Sequence, residues 1–276
     1  MPRRILIKVS YDGTAYHGWQ LQGDSPTVAL RLQEAYRALF QEDTEIKGAS
    51  RTDAGVHAEG NLATFDTSMR MDGRKFAKAL NTRLPEDIRV LSSVDVDMDF
   101  SLREARSEKT YIYRIIQSEI GDPLHRLYAW QLPWKLDLSK MDRAASFFVG
   151  EHDFKSFASV YTQAKTTVRE VTYTGLSAGG EEAGEAQFGL DTGNNKGKSG
   201  REIIFKVKGY GFLYNMVRIM VGTLVEIGRG RFEPERIQDI LKSCDRRMAG
   251  PTAPPQGLTL KDIKLLDHEG IWESFG

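Results

Sequence analysis

The feature that most constrains this chain is the order in which two hydrophobic periods alternate along its first half. Residues 4–10 (RILIKVS) alternate as a strand with one buried face does, and they end in the turn residues Tyr11, Asp12 and Gly13. After Pro26 the period lengthens: Thr27 to Phe40 places Val28, Leu32, Tyr36 and Leu39 at helical spacing. Strands are predicted at 44–49 and 60–66, on either side of a polar, glycine-containing loop, and a second helix at 73–83, stopped by Pro85. Two further strands are predicted at 88–96 and 109–117. This order predicts an α+β half, with helices packed on one face of an antiparallel sheet.

The second half repeats the rhythm loosely. Residues 127–134, 167–177, 202–208 and 257–265 read as extended, and 139–149, 211–228 and 234–243 as helical. Residues 178–200, rich in Gly, Glu, Asn and Lys, read as an exposed loop or hairpin insertion. A boundary near 104 gives an N-terminal domain, 1–104, and a C-terminal domain, 105–276, with the two sheets continuous across it.

Composition narrows the function classes. With 40% hydrophobic residues the chain has enough apolar surface for a core. Its longest apolar stretch, 209–225, is broken by Arg218, so no bilayer span is expected. The start, Met1-Pro-Arg-Arg, leads straight into a charged strand and does not resemble a signal peptide. A single cysteine, Cys244, excludes internal disulfides and cysteine-built metal sites, and the five histidines show no paired ligand spacing. No metal is expected. Residues 193–199 (GNNKGKS) fall one residue short of a phosphate-binding loop and follow no apolar strand, so no nucleotide cofactor is expected. A cytoplasmic enzyme or binding protein fits these exclusions. Lys+Arg and Asp+Glu are both 38, so a nucleic-acid partner would need basic residues gathered on one face. Runs such as Arg103, Arg106, Lys109 and Arg114 would serve, but on charge alone they read first as solvated helix faces with i,i+4 spacing.

The densest group of reactive side chains is the loop from Gly48 to Ala58, which carries Ser50, Arg51, Asp53 and His57. Loops between strands place functional groups on a rigid scaffold, and Gly48 and Gly55 permit tight turns. On residue types alone the loop reads equally as a polar turn in which Asp53 bonds its own backbone. A Ser50–Asp53–His57 hydrolytic triad is disfavoured, because no G-x-S-x-G elbow is present and triads are assembled from distant parts of a chain.

Ser50-Arg-Thr-Asp-Ala-Gly-Val-His57 resembles the G-R-T-D-A-G-V-H signature of the tRNA pseudouridine synthase A family. Five further blocks resemble that family in order: Tyr11-Asp-Gly13 with Gly18-Trp-Gln20, residues 80–88 (LNTRLPEDI), 109–115 (KTYIYRI), 211–222 (GFLYNMVRIMVG) and 253–260 (APPQGLTL). The chain departs from the pattern at Ser50, where the family has glycine, and at Phe100-Ser-Leu-Arg103, where F-H-A-R is common.

The resemblance implies two RRM-like or ferredoxin-like halves whose antiparallel sheets join into one extended sheet, with an active-site cleft between them. It implies cofactor-free isomerisation of uridine to pseudouridine in the anticodon stem–loop of tRNA, at tRNA positions 38 to 40, by a homodimer. Asp53 is implied as the catalytic carboxylate and Arg218 as its cationic partner. Tyr111 is implied to stack on the flipped base, Arg51 to fill the space the base leaves, and Leu258 to form an apolar wall. Period-two alternation puts Tyr113 on the same strand face as Tyr111, so core packing is open for one of the two.

Overall fold

The computed structural model describes residues 2–162, 164–178, 201–268 and 270–271. It divides into two compact units, Met1–Lys109 with Thr259–Gly276, and Thr110–Leu258.

In the first unit, β1 (Arg3–Tyr11) is followed by α1 (Val28–Phe40). The Thr27 hydroxyl accepts the Leu30 N–H (3.3 Å), satisfying one of the donors that a helix start leaves open. Gln41 closes the helix in the left-handed region at φ 54°. Of the predicted strand at 44–49 only β2 (Lys47–Gly48) pairs, because the Thr44 hydroxyl donates to the Asp66 carbonyl (2.7 Å) in place of a ladder bond. β3 (His57–Thr67) starts earlier than the predicted residue 60. The predicted helix at 73–83 is a 3-10 turn, Gly73–Lys75, leading into the short α2 (Phe76–Asn81). The Ser93 hydroxyl ties that junction down, accepting from Ala77 N–H (2.8 Å) and donating to the Gly73 carbonyl (2.6 Å). Beyond α2, the Asn81 amide makes both backbone hydrogen bonds of Val90 (2.8 Å each), turning the chain into β4 (Ile88–Val96).

β1 lies antiparallel between β3 and β4. The last strand, β10 (Leu258–Leu265), pairs parallel with the start of β3, Thr259 opposite His57 and Leu260 opposite Ala58. That pairing is why β3 extends back to His57. Tyr36 of α1 meets Phe65 of β3 edge-on (5.2 Å), and Phe65 meets Phe76 of α2 edge-on (5.6 Å). Both helices therefore cover one face of the sheet, as the order of elements predicts. Each buried ring contributes about 1.5–3 kcal/mol from burial alone.

The second unit carries β5 (Ser107–Gln117) from Thr110 onward, then β6 (Trp130–Leu132), α3 (Leu138–Ser146) and β7 (Gly150–Asp153). β8 (Val168–Ala178), β9 (Arg201–Gly209), α4 (Met216–Gly228) and α5 (Arg236–Ser243) follow. The sheet order is β5-β9-β8-β7, with β6 parallel on the free side of β5's C-terminal half (Ile115 opposite Trp130). β7 has no sequence signature: it is four polar or small residues on the edge, paired with β8 through Gly150 and Val171. Of the predicted insertion at 178–200, only Ala178 lies within the described residues.

The predicted helix at 211–228 begins only at Met216, because Asn215 sits in the left-handed region at φ 62° and turns the preceding loop away from the helix axis. Every residue of α4 is buried except Arg218. The helix is crossed by the segment 250–253: the Gly250 N–H donates to the Thr223 hydroxyl (2.9 Å), and the Ala253 N–H to the Arg218 carbonyl (3.1 Å). Gly222 permits that approach, since a Cβ there would lie 1.8 Å from the Pro251 carbonyl oxygen.

Alanine raises helix propensity over glycine by about 1 kcal/mol at an open helical position. At Gly222 the steric conflict with a backbone atom outweighs it. We expect Gly222→Ala to cost about 2 kcal/mol or more and to lower the Tm by several degrees, read by circular dichroism on heating. A Tm equal to or above that of the parent would mean that the crossing is looser than described.

Candidate active site

The loop joining β2 to β3 is fixed mainly by backbone contacts from the N-terminal segment. Gly13 and Gly18 lie directly on it: a Cβ on Gly13 would be 2.0 Å from the Val56 carbonyl oxygen, and one on Gly18 2.5 Å from that of Thr52. Trp19 N–H donates to the Thr52 carbonyl (3.1 Å) and Gly55 N–H to that of Tyr16 (3.1 Å). The Trp19 indole packs on Gly48, where a Cβ would sit 2.3 Å from Nε1. The Tyr-Asp-Gly and Gly-Trp-Gln blocks are thus the cradle of the loop.

Within it, Val56 N–H donates to the Asp53 carbonyl (3.2 Å) and Gly55 has φ 75°. This is a turn that asks for glycine at its third position and puts Asp53 at its first. Asp53 is half-buried and Arg51 is exposed, whereas Ser50, Thr52, Val56 and His57 are buried. From Ser50 to Asp53 the side chains therefore alternate between the unit's interior and the surface. Ser50 does not take a positive φ, so the family's glycine can be replaced there without backbone strain.

Beneath the loop is a polar network that residue patterns did not reveal. The Tyr11 hydroxyl and the Thr52 Oγ1 share a hydrogen bond (2.7 Å), and Asn61 Nδ2 donates to the Ser50 carbonyl (3.0 Å) and to the Tyr11 hydroxyl (3.3 Å). Asn61 is fully buried, and its Oδ1 is the buried side-chain atom among the described residues that lacks a partner. Lys109 Nζ donates to the Ala49 carbonyl (2.8 Å), gripping the loop's first residues. His57 Nδ1 lies 3.1 Å from both the Gly13 N–H and an Asp12 carboxylate oxygen. One ring nitrogen serves one partner at a time. The buried amide must be satisfied, so we assign Nδ1 as acceptor and place the proton on Nε2. Nearby, burial and then a hydrogen bond to Asp87 push the Tyr16 phenol well above its usual range, keeping it a neutral donor.

The second unit holds the other three predicted residues. Tyr111, on β5, is buried and meets Phe212 edge-on (5.1 Å). Tyr113, on the same strand, is fully buried: its hydroxyl donates to the Pro254 carbonyl (2.8 Å), and Gly257 lies against its ring. Burial pushes the Tyr113 phenol up, against the opposing field of Arg218. Arg218 Nε donates to the Ala253 carbonyl (2.7 Å) and Nη1 to Asn215 Oδ1 (2.7 Å). These two bonds fix the plane of its guanidinium. Leu258 is buried at the start of β10. Among the described residues no three His, Cys, Asp or Glu side chains are grouped to hold a metal, and no helix is long and apolar enough to cross a membrane.

Residues 7–103 and 144–264 match the sequence profile described as tRNA pseudouridine synthase. The chain belongs to the tRNA pseudouridine synthase family. It is 39% identical over 261 residues to tRNA pseudouridine synthase A 2 of Clostridium perfringens, covering 95% of this chain and 99% of that protein. Over 261 residues it is 40% identical to tRNA pseudouridine synthase A of Acetivibrio thermocellus, with the same coverage. With the enzyme of that name from Citrifermentans bemidjiense the identity is 41% over 262 residues, covering 95% of this chain and 97% of the other. Pseudouridine synthases are isomerases. Within this tRNA pseudouridine synthase, Arg51, Asp53, Arg218 and Leu258 lie inside the matched ranges, and Tyr111 lies between them.

The network under the loop is testable by an isosteric change. Tyr11→Phe leaves the Thr52 hydroxyl and the Asn61 amide short of one buried partner, which should cost about 1–3 kcal/mol in urea unfolding. Unchanged stability would show that the network does not hold the loop.

Proposed function

We propose that this chain isomerises uridine to pseudouridine in the anticodon stem–loop of tRNA, at tRNA positions 38 to 40, with Asp53 as its catalytic carboxylate. The observation that carries this reading is the loop itself. Asp53 stands at the first position of a glycine turn, half-buried, directly after an exposed Arg51 and a buried Thr52.

The reaction breaks the N1–C1′ bond of uridine, turns the base and joins C5 to C1′; the C5 hydrogen leaves as a proton and N1 gains one. Atoms and charge balance without a redox partner, so no cofactor is required. Asp53 acts ionised, as a nucleophile or as a base. Arg218 supplies the positive charge that keeps a carboxylate ionised away from bulk water, and its guanidinium is held in plane by Asn215 and Ala253. The target base leaves the helical stack at a cost of a few kcal/mol. Tyr111 stacks on the flipped base, Arg51 fills the space it vacates, and Leu258 supplies an apolar wall. The basic runs contact phosphates and so fix register, with the shape of the RNA deciding which uridines are reached. The chain works as a homodimer, in the cytoplasm.

Tritium release from tRNA transcripts labelled at uridine C5 tests this directly. The parent protein is expected to release label and Asp53→Asn to lose at least about 1000-fold in rate while retaining tRNA binding, since removing the reacting group removes the chemical step. Equal release by both proteins would dismiss Asp53 as the catalyst. Binding without release by the parent would mark an RNA-binding protein on this fold.

A further inference from the structure

The loop between β9 and α4, residues 210–215, is pinned at three points within the second unit. Tyr210 N–H donates to the Glu170 carbonyl (3.3 Å), the Tyr214 carbonyl accepts from Ser159 N–H (3.0 Å), and the Phe212 ring stands edge-on against Tyr111 (5.1 Å). A rigid loop of this kind should bury its aromatic residues. Instead Tyr214 is 47% exposed and Tyr210 41%, and Tyr161, two residues from the Ser159 contact, is 80% exposed. Scattered exposed tyrosines need no explanation, but these three lie on two segments tied together by the Ser159–Tyr214 bond, which makes a shared role worth testing.

The cation beside these segments points the same way. Arg169 lies over Gly211, where a Cβ would be 3.5 Å from the arginine Cδ, and it donates to the carbonyls of Thr166 (2.9 Å) and Val168 (2.6 Å). Among the described residues no carboxylate pairs with it. Burial disfavours its charged form with nothing acidic to compensate. A guanidinium in that position gains most from an anion that arrives with a ligand.

We infer that Tyr161, Tyr210 and Tyr214 form a stacking surface for unpaired nucleotides of the RNA beside the target uridine, with Arg169 binding an adjacent phosphate. This rests on the reading that Tyr111, which Phe212 joins to the same loop, stacks on the flipped base. Aromatic faces accept any base, and a phosphate supplies the missing anion. Single-stranded RNA is therefore the occupant this chemistry selects.

The test compares the parent with Tyr161→Ala/Tyr214→Ala and Tyr161→Phe/Tyr214→Phe. Binding is read by fluorescence anisotropy on a fluorescein-labelled anticodon stem–loop hairpin and on a blunt duplex of its stem. Both positions are exposed, so the variants should fold. The alanine pair is expected to bind the hairpin about 5- to 100-fold more weakly for each base that loses its platform, and the phenylalanine pair within about twofold of the parent. Duplex binding should be unchanged in both. Arg169→Gln should reduce the slope of log affinity against log salt by about 1. Parent-like hairpin binding by the alanine pair, an equal loss on the duplex, or a phenylalanine pair as weak as the alanine pair would each overturn the surface. Tritium release by the parent, measured alongside, separates the two readings. Release with no effect of the alanine pair removes the surface alone. Hairpin binding that needs the tyrosines, without release, removes the uridine chemistry and leaves the surface.

Discussion

The backbone of residues 52–56 has almost no regular structure of its own, and its position depends on two glycines in another part of the chain. Gly13 and Gly18 bring the N-terminal segment so close that any side chain at either would collide with a carbonyl of the loop. The contacts that result are amide to carbonyl, and their geometry does not depend on side-chain rotamers. That suits the catalytic role proposed for Asp53. A loop held by long side chains would fluctuate with them, whereas one clasped between two backbones and underlain by Tyr11, Thr52 and Asn61 has few soft degrees of freedom.

In the second unit the same logic takes a different form. There α4 is buried along its length, and the one residue it turns outward, Arg218, is oriented by a carbonyl and an amide. Hydrogen bonds to neutral groups leave the net charge intact, so the guanidinium is positioned without being neutralised by them. This suits the role proposed for Arg218, that of favouring an anion. Glu226, at the other end of the same helix, shows the opposite treatment. Its nearly buried carboxylate is held by both Arg229 (3.0 Å) and Arg231 (2.7 Å), an arrangement that closes the end of a helix.

Much of the fold could be read from periodicity: β1, α1, β4, β5, β8, β9 and α5 fall close to where apolar spacing puts them. The errors have local causes. β7 is an edge strand of Gly, Glu, His and Asp, with no apolar alternation to detect. β3 starts at His57 because β10, some two hundred residues later, pairs with it there, beyond the last β1 partner, Ala58. The helix expected from 211 starts late because Asn215 adopts a left-handed conformation that only its environment makes evident. The reactive loop was legible as a cluster, but its meaning came from resemblance, since residue types alone left a polar turn equally open. Asn61 was missed as a support because in its strand it reads as an ordinary polar residue, and Lys109 because it was read as part of a basic run instead. Alternation put Tyr111 and Tyr113 on one strand face, and both are buried; the hydroxyl contact of Tyr113 to Pro254, which ties it into the packing, had no sequence signal.

The crossing of α4 by residues 250–253 has a consequence for how such a chain can drift in evolution. Pro251 is exposed, and what it presents to Gly222 is its carbonyl, an atom every amino acid carries. Its side chain is accordingly free to change, while the number of residues between the helix and Ala253 is not. Adding or removing one there would slide the Ala253 carbonyl off the Arg218 guanidinium. Selection on this segment therefore acts on chain length more than on chemical identity, and lineages should diverge in its letters long before they diverge in its spacing.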